Sequence, residues 1–327
     1  VLTGVLPGNV LSSTWGVLVL LVVLRFLMGA FQAPLFPVVG GTIANWFPVS
    51  GWALPNSLTS TGLGLGAAFT PPLVAWVMTN LGWRESFTIA VPLSLLITAL
   101  WWWYSRDTPD QHARVNEGEI DLISAGRPPS IAGSEKDVLR RLLKNREVLL
   151  LSLSYLAMNY VFYIFFSWFY IYLVDVRGFG ILEGGLFASL PFIVGSLAAG
   201  VGGWVCDALC RSIGPRWGCR LPAVVGLLSV AGFLFLGATA TNGYLAVAFL
   251  SLCFAGTQFT EGAYWSGMTF VAGEHTAAAC GVLNTGGNLA GAIASPLVPI
   301  MAYHFGWLTA LATGSVFALL AAALWFW

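Results

Sequence analysis

Chemistry in this sequence would turn first on Glu261, a carboxyl set inside a long apolar stretch. The surrounding segment, Thr257 to Pro299, reads as two apolar helices joined by the polar turn Gly273-Glu274-His275-Thr276. An ionisable group in hydrocarbon is costly, so it faces a bundle interior or a wet cavity and marks a substrate or ion path. Burial disfavours the charged form of a carboxyl, so Glu261 could carry a proton or bind a substrate hydroxyl. Tyr264 and Trp265 follow by three and four residues and share its face, where they could wall a polar pocket. On the second helix Asn284 and Asn288 stand one turn apart and could donate to a carboxylate or to sugar hydroxyls. Each has a plainer reading. Glu261 could be bonded to a neighbouring helix, the aromatics could be packed, and the asparagines could glue helices beside Gly286, Gly287 and Gly291.

Two further groups belong with these. Asn159, Tyr160 and Tyr163 open another apolar run, with Asn159 and Tyr163 on one face; they suit a cavity wall or an interfacial aromatic belt. Arg25 lies within an apolar span, and Gln32, seven residues on, shares nearly the same face and could hydrogen-bond substrate. Cys206, Cys210 and Cys219 flank one expected loop, while Cys253 and Cys280 sit in apolar helices. With no paired C-x-x-C and no matching histidine, the trio reads as reduced cytoplasmic thiols rather than a metal site. His112, His275 and His304 fall at span ends or in loops without a ligand set. No nucleophile–base constellation and no phosphate-cradling loop is present, so neither hydrolysis nor ATP-driven pumping is expected, and no cofactor.

The elements that must hold these side chains are membrane helices. Of 327 residues 57% are hydrophobic and only 9% charged, against about 25% charged in soluble domains. The mean hydropathy is +0.81. Net charge is zero, and no basic patch suits nucleic acid. Nine apolar spans follow: 15–46, 53–80, 84–104, 148–174, 182–205, 220–240, 244–272, 276–302 and 305–327. Runs of about 20 apolar residues fit helices rather than barrel strands. Residues 1–14 read as the end of an earlier helix and its loop. Eight basic residues, Arg106, Arg114, Arg127, Lys136, Arg140, Arg141, Lys144 and Arg146, share the loop 105–147, and Arg211, Arg216 and Arg220 follow the fifth span. Two spans separate these loops, so both are cytoplasmic, the chain starts outside and it ends inside. The loop 105–147 reads as a tether with an amphipathic helix near 135–147, between an incomplete half, 1–104, and a six-helix half, 148–327.

The sequence also repeats. Residues 61–83, TGLGLGAAFTPPLVAWVMTNLGW, match 285–307, TGGNLAGAIASPLVPIMAYHFGW, at one offset: 286−62, 296−72 and 307−83 all equal 224. Six spans separate the copies, so the unit is six helices, and both copies keep one orientation across the membrane. On that count the first half has three of its six helices here, and nine of twelve are present.

Several stretches resemble the anion:cation symporter family of the major facilitator superfamily, which includes hexonate, hexuronate and phthalate permeases. They are RFLMGAFQAPLFPVVGGTIANWFP from Arg25, Gly82-Trp83-Arg84, NYVFYIFFSWFYIYL from Asn159, GGWVCDALCRSIGPRWGCR from Gly202, and Thr260 to Asn288. The resemblance implies an all-α, polytopic membrane helical bundle and alternating access about a central site. It further implies small organic anions, commonly sugar acids, moved with a proton or cation by a monomer in the plasma membrane, taken as a bacterial inner membrane. It places a substrate-binding asparagine in the NTGGN stretch, closest to Asn284. Gly203, Asp207, Arg211 and Arg216, with Arg220, resemble the superfamily's cytoplasmic gating motif. Gln32 stands where the family has a glutamate that takes part in proton coupling. Since Gln cannot titrate, any coupling here is weakened or rerouted, with Glu261 as the candidate carrier. After Pro48, Ser50-Gly51-Trp52 replaces the family's acidic-Arg pair. The expected function is therefore a secondary transporter of small organic anions, with Glu261, Asn284, Trp265, Tyr163, Asn159, Tyr264, Asn288 and Gln32 as the substrate set. The alternative is a transport-inactive fragment or decayed copy of one. An intramembrane enzyme is not expected.

Overall fold

The computed structural model describes residues 14–33, 35–47, 53–124, 135–272 and 275–326, and they are helical with no strand among them. Residues 1–13, Ser50-Gly51-Trp52, Arg127 and the Gly273-Glu274 step of the polar turn lie outside them. In order, the helices are α1 (Thr14–Gln32), α2 (Leu35–Trp46), α3 (Ala53–Asn80), α4 (Glu85–Thr88), α5 (Ala90–Tyr104), α6 (Glu117–Ser124), α7 (Glu135–Leu142), α8 (Arg146–Ile171), α9 (Ile181–Ile213), α10 (Pro215–Thr239), α11 (Gly243–Ala272) and α12 (Thr276–Leu324). Among the described residues, eight stretches are long and apolar enough to cross a membrane. One of them, 278–324, is 47 residues long. At 1.5 Å per residue that is about 70 Å, over twice the roughly 30 Å hydrocarbon thickness. It is broken at Gly306, whose φ of 83° and ψ of 161° are not helical, so it supplies two crossings and restores the expected nine. The chain is a multi-pass membrane protein.

Gly306 is where the internal repeat becomes visible in the backbone. Gly82, two residues past the end of α3, has φ +102°, and Gly306 has φ +83°; their spacing, 306−82 = 224, is the repeat offset, and a Trp follows each. A Cβ in the Gly306 region of φ/ψ space costs about 1–3 kcal/mol. Gly306→Ala is therefore expected to lower the thermal midpoint of the purified protein. Gly281→Ala, at a helical position where an added Cβ meets nothing within 4 Å, should leave it near the parent value.

Two boundaries differ from expectation. The first span is two helices, α1 and α2, with the interruption at the Ala33-Pro34 step of the sequence. Proline lacks the N–H and disfavours helix at the residue before it. The expected loop between spans five and six is helical almost throughout. α9 runs eight residues past 205, α10 starts at Pro215, and Gly214 alone joins them with φ 86° and ψ 161°. Hydropathy marks where the bilayer ends, not where the helix ends. α9 spans 33 residues, about 50 Å, so its charged last turns extend beyond the hydrocarbon while still hydrogen-bonded as helix.

The chain divides into two compact units, residues 1–52 with 73–127, and residues 53–72 with 128–327. In the first unit, Trp46 Nε1 donates to the Arg106 carbonyl and Asn45 Nδ2 to the Asp107 carbonyl, both at 3.1 Å, which ties the end of α2 to the segment after α5. The last turn of α5, Trp101 to Tyr104, is an exposed aromatic cluster of the kind that sits at a membrane interface.

The second unit holds the core. One cluster centres on Tyr160, Leu173, Leu234, Leu250 and Phe254. A second is built on Met158, Leu227, Tyr264, Met268 and Leu283, and the α7 residue Leu142 packs into it. Asn145 caps α8 by accepting from the Glu147 and Val148 N–H groups. At the other end of the bundle, Arg177 donates to the Tyr172 hydroxyl at 2.7 Å and to the Ala240 and Gly237 carbonyls at 2.8 and 3.2 Å. It thereby satisfies carbonyls that the end of α10 leaves open. Glycine sets the helix spacing. A Cβ on Gly202 of α9 would strike the Phe259 backbone of α11, and one on Gly262 would meet Gly203 Cα at 3.0 Å. Such approach is how helices associate where hydrocarbon offers no hydrophobic drive.

Candidate functional site

Three helices of the second unit bring the polar residues of interest together. α11 presents Glu261 and, one turn on, Trp265. α8 presents Tyr155, Asn159 and Tyr163 at intervals of four, hence on one face. α12 supplies Asn284, Asn288 and a glycine stripe. That stripe decides how closely α12 approaches α8. A Cβ on Gly286 would meet the Ser152 carbonyl oxygen at 2.9 Å, one on Gly287 the Tyr155 ring at 2.7 Å and Asn159 Nδ2 at 3.2 Å, and one on Gly291 the Tyr163 ring at 2.5 Å. The packing role expected for these glycines and the polar role expected for the asparagines are therefore both accommodated on α12: glycines carry the contact and amides flank it.

The centre of the arrangement is the Glu261 carboxylate. Trp265 Nε1 donates to Oε2 at 2.8 Å, and the Tyr155 hydroxyl lies 3.3 Å from Oε1 and 3.2 Å from Oε2. The two donors differ in what they allow. An indole N–H only donates, whereas a phenol O–H can donate or accept. Trp265 therefore fixes Oε2 as an acceptor in either protonation state. Tyr155 can donate to the carboxylate and, by rotating its hydroxyl, accept from a carboxylic acid. The proton, when present, belongs on Oε1.

Around that pair the other side chains fall into two kinds. Tyr264 is fully buried. Its hydroxyl is 2.6 Å from Ser154 Oγ, which in turn donates to the Ala321 carbonyl at 2.8 Å. Ser154 has one hydrogen, so Tyr264 is the donor between them. The Tyr264 ring packs edge-on to Tyr155 at 5.1 Å and against Trp325 at 5.2 Å. Tyr160 turns away from the Glu261 face; its hydroxyl is 3.0 Å from Thr313 Oγ1 and its ring stacks on Phe317 at 4.2 Å. Both tyrosines sit in packed core. Asn159, Tyr163, Asn284 and Asn288 are different. Asn159 is buried, and its Nδ2 donates to the Tyr155 carbonyl at 2.9 Å. The Tyr163 hydroxyl donates to Asn288 Oδ1 at 3.4 Å, and Asn288 Nδ2 to the Asn284 carbonyl at 2.9 Å. Asn284, Tyr163 and Trp265 are half-buried and Asn288 is exposed. The set is a run of neutral donors and acceptors beside one acid, suited to hydroxyls and carboxylates.

Sequence reasoning missed Tyr155, although it stands four residues before Asn159 in the same register; an i−4 step from Asn159 would have found it. Gln32 and Arg25 lie on α1 in the first unit, both exposed. On α9, Gly203, Asp207 and Arg211 recur every four residues and share a face. Gly203 packs on Gly262, Asp207 is half-buried, and Arg211 and Arg216 are exposed at the helix ends beside Gly214.

Comparison with known proteins agrees with this architecture. The sequence profile of the Major Facilitator Superfamily matches residues 1–276. The chain is 30% identical over 295 residues to the probable sulfoacetate transporter of Cupriavidus necator, covering 89% of this chain and 67% of that protein. It is likewise 30% identical over 295 residues to the probable galactarate/D-glucarate transporter of Bacillus subtilis, covering 86% of this chain and 63% of that one. It thus spans about two thirds of the length of these curated relatives. Among solved structures, a bacterial homologue of the human lysosomal transporter Spinster, inward-facing and unoccupied, superposes with a TM-score of 0.65 at 16% identity, over 88% of this chain and 72% of that one. The fold is shared, and the relatives are transporters rather than enzymes. The chain belongs to the Major Facilitator Superfamily.

Proposed function

We propose that this chain forms part of a secondary transporter that moves small organic anions, sugar acids or similar carboxylates, together with a proton, by alternating access across the plasma membrane. The observation that carries the reading is Glu261: a carboxyl inside a membrane helix, gripped by Tyr155 and Trp265, beside a face of neutral amides and a phenol. Both partners are neutral, so the acid can take up a proton without parting from either of them. The substrates in the relatives' names, sulfoacetate and galactarate or D-glucarate, support an anion rich in oxygen. In this reading Asn284, Asn288, Asn159 and Tyr163 bond the substrate's hydroxyls or carboxylate, and Trp265 and Tyr264 shape and support their surroundings. Gly203, Asp207, Arg211 and Arg216 close the cytoplasmic gate, and the protein works as a monomer.

Coupling follows from charge. An anion bound near ionised Glu261 is repelled by roughly 2–3 kcal/mol at about 6–8 Å and an effective dielectric near 20. Protonation removes the repulsion, so proton and anion each favour the other's binding by the same factor. Symport needs no further device to link the two cargoes.

The comparisons do not favour the alternative of a transport-inactive fragment, because the matches to proteins named as transporters run along most of this chain. The test is uptake of labelled galactarate, glucarate, a hexuronate and sulfoacetate into proteoliposomes carrying the protein, under an imposed inward proton gradient. Gradient-driven uptake of at least one is expected. Asn284→Ala should raise its KM about tenfold, the cost of about 1–3 kcal/mol for a substrate group left unpaired. Absence of uptake for every oxyanion tried, in protein that is folded and oriented, would return the inactive reading.

A further inference from the structure

The corner between α9 and α10 brings three thiols into one place. Cys206 and Cys210 are one turn apart on α9, and Cys219 lies on the first turns of α10. Cys206 Sγ is 3.8 Å and Cys210 Sγ 3.6 Å from Cys219 Sγ, and all three sulfurs lie within 4.8 Å of one another. Spacing alone, C-x₃-C-x₈-C with an expected loop between, concealed this. Two glycines make it. Gly214 takes φ 86° and turns the chain in a single residue. Gly218 lets the first turn of α10 lie on the last turns of α9: a Cβ there would meet Cys210 Cα at 2.5 Å and Sγ at 2.6 Å.

We propose that Cys206, Cys210 and Cys219 form a binding site for a soft, thiophilic d¹⁰ cation, Zn²⁺ or Cu⁺. The geometry matches. Four thiolate-type ligands at about 2.3 Å around a tetrahedral ion stand about 3.8 Å from one another, and three in a plane about 4.0 Å apart. The sulfurs are therefore already near the spacing that ligation needs, and soft thiolates select these two ions. Zn²⁺ would complete its shell with one exogenous ligand, whereas Cu⁺ suits three. Burial supplies the enclosure: Cys206 and Cys219 are 1% and 2% exposed, and half-buried Cys210 gives the entry path. A bound ion would cross-link α9 to α10 at the end that carries Asp207, Arg211 and Arg216.

The test is metal titration of the purified, reduced protein in detergent micelles, with Zn²⁺ and, without oxygen, with Cu⁺, each against a competing chromophoric chelator. One equivalent of either ion per chain is expected, with release of protons as thiols become thiolates. C253S/C280S should bind as the parent does. C206S, C210S and C219S should each bind at least ~100-fold more weakly, since loss of a group that merely supports a metal ligand already costs 10–100-fold. A readout on the parent protein covers variants that fail to fold. The ion should protect Cys210 from alkylation, and a chelator should restore its reactivity, while Cys280 reacts alike in both states. Equal binding by the triple serine variant, no stoichiometric binding of either ion, or a disulfide among the three as the only response of the parent, would each overturn the proposal.

Discussion

Glu261→Gln is expected to abolish accumulation of substrate against its gradient while leaving exchange of labelled for unlabelled substrate across the same membrane. Gln keeps the shape and, through Oε1, the acceptor for Trp265 Nε1; its amide can donate to the Tyr155 hydroxyl, which accepts as readily as it donates. What it loses is the charge that a proton would cancel. The variant therefore behaves as permanently protonated. The sign follows from linkage. In the parent, the anion binds best to the protonated carboxyl, so affinity is high at low pH and falls as pH rises through the carboxyl's titration. With roughly 2–3 kcal/mol of repulsion, the fall is about 30–150-fold. The variant should show the parent's low-pH affinity at every pH. Substrate binding measured from pH 5 to 8 checks this, beside uptake and exchange in proteoliposomes. A Glu261→Gln protein whose binding keeps the parent's pH profile would leave Glu261 a structural partner of Tyr155 and Trp265 and move coupling elsewhere.

The membrane class and the number of crossings were legible in the sequence because the bilayer imposes its length on apolar runs. The offset of 224 survived because Gly82 and Gly306 both need a backbone that only glycine takes easily. Glu261 was legible for the same reason: a carboxyl amid apolar residues stands out. Its partners were only half legible. Trp265 follows on the same helix at a spacing that the α-helix fixes, but Tyr155 comes from α8, more than a hundred residues away. The four-residue register with Asn159 singles out Tyr155 on that aromatic-rich helix but does not show that it meets the acid. Tyr160 and Tyr163 looked alike, yet a 100° step per residue sends one to Thr313 and the other to Asn288. The thiol corner was hidden for another reason. Polar residues there mark the edge of the membrane, while the helices continue through them, and only the φ of Gly214 folds Cys219 back onto Cys210.

Gly202→Ala is expected to cost far more than Gly64→Ala, although both would add one methyl group to a tight helix contact. At Gly202 the new carbon meets backbone, the Phe259 carbonyl and Cα of α11, which cannot rotate away. α9 and α11 must then separate, and overpacking of this kind costs about 1–3 kcal/mol or more. At Gly64 the obstacle is the Ser196 hydroxyl, which can turn aside at the expense of its 2.8 Å bond to the Phe192 carbonyl, about 1 kcal/mol. Thermal midpoints of the two purified variants separate the cases: a large fall for Gly202→Ala and a small one for Gly64→Ala. Transport should divide the same way. Gly202 and Gly203 set the distance from α9 to the turn of α11 that carries Glu261. Moving that turn leaves Trp265, on the same helix, bonded to Glu261, but draws the carboxyl away from Tyr155 on α8. The Gly202→Ala protein that does fold should therefore lose gradient-driven uptake more than exchange, as Glu261→Gln does, because the pair that serves both protonation states has been parted. Equal stability of the two variants would mean that α9 and α11 have room to spare at their crossing, and that the glycines there do not set it.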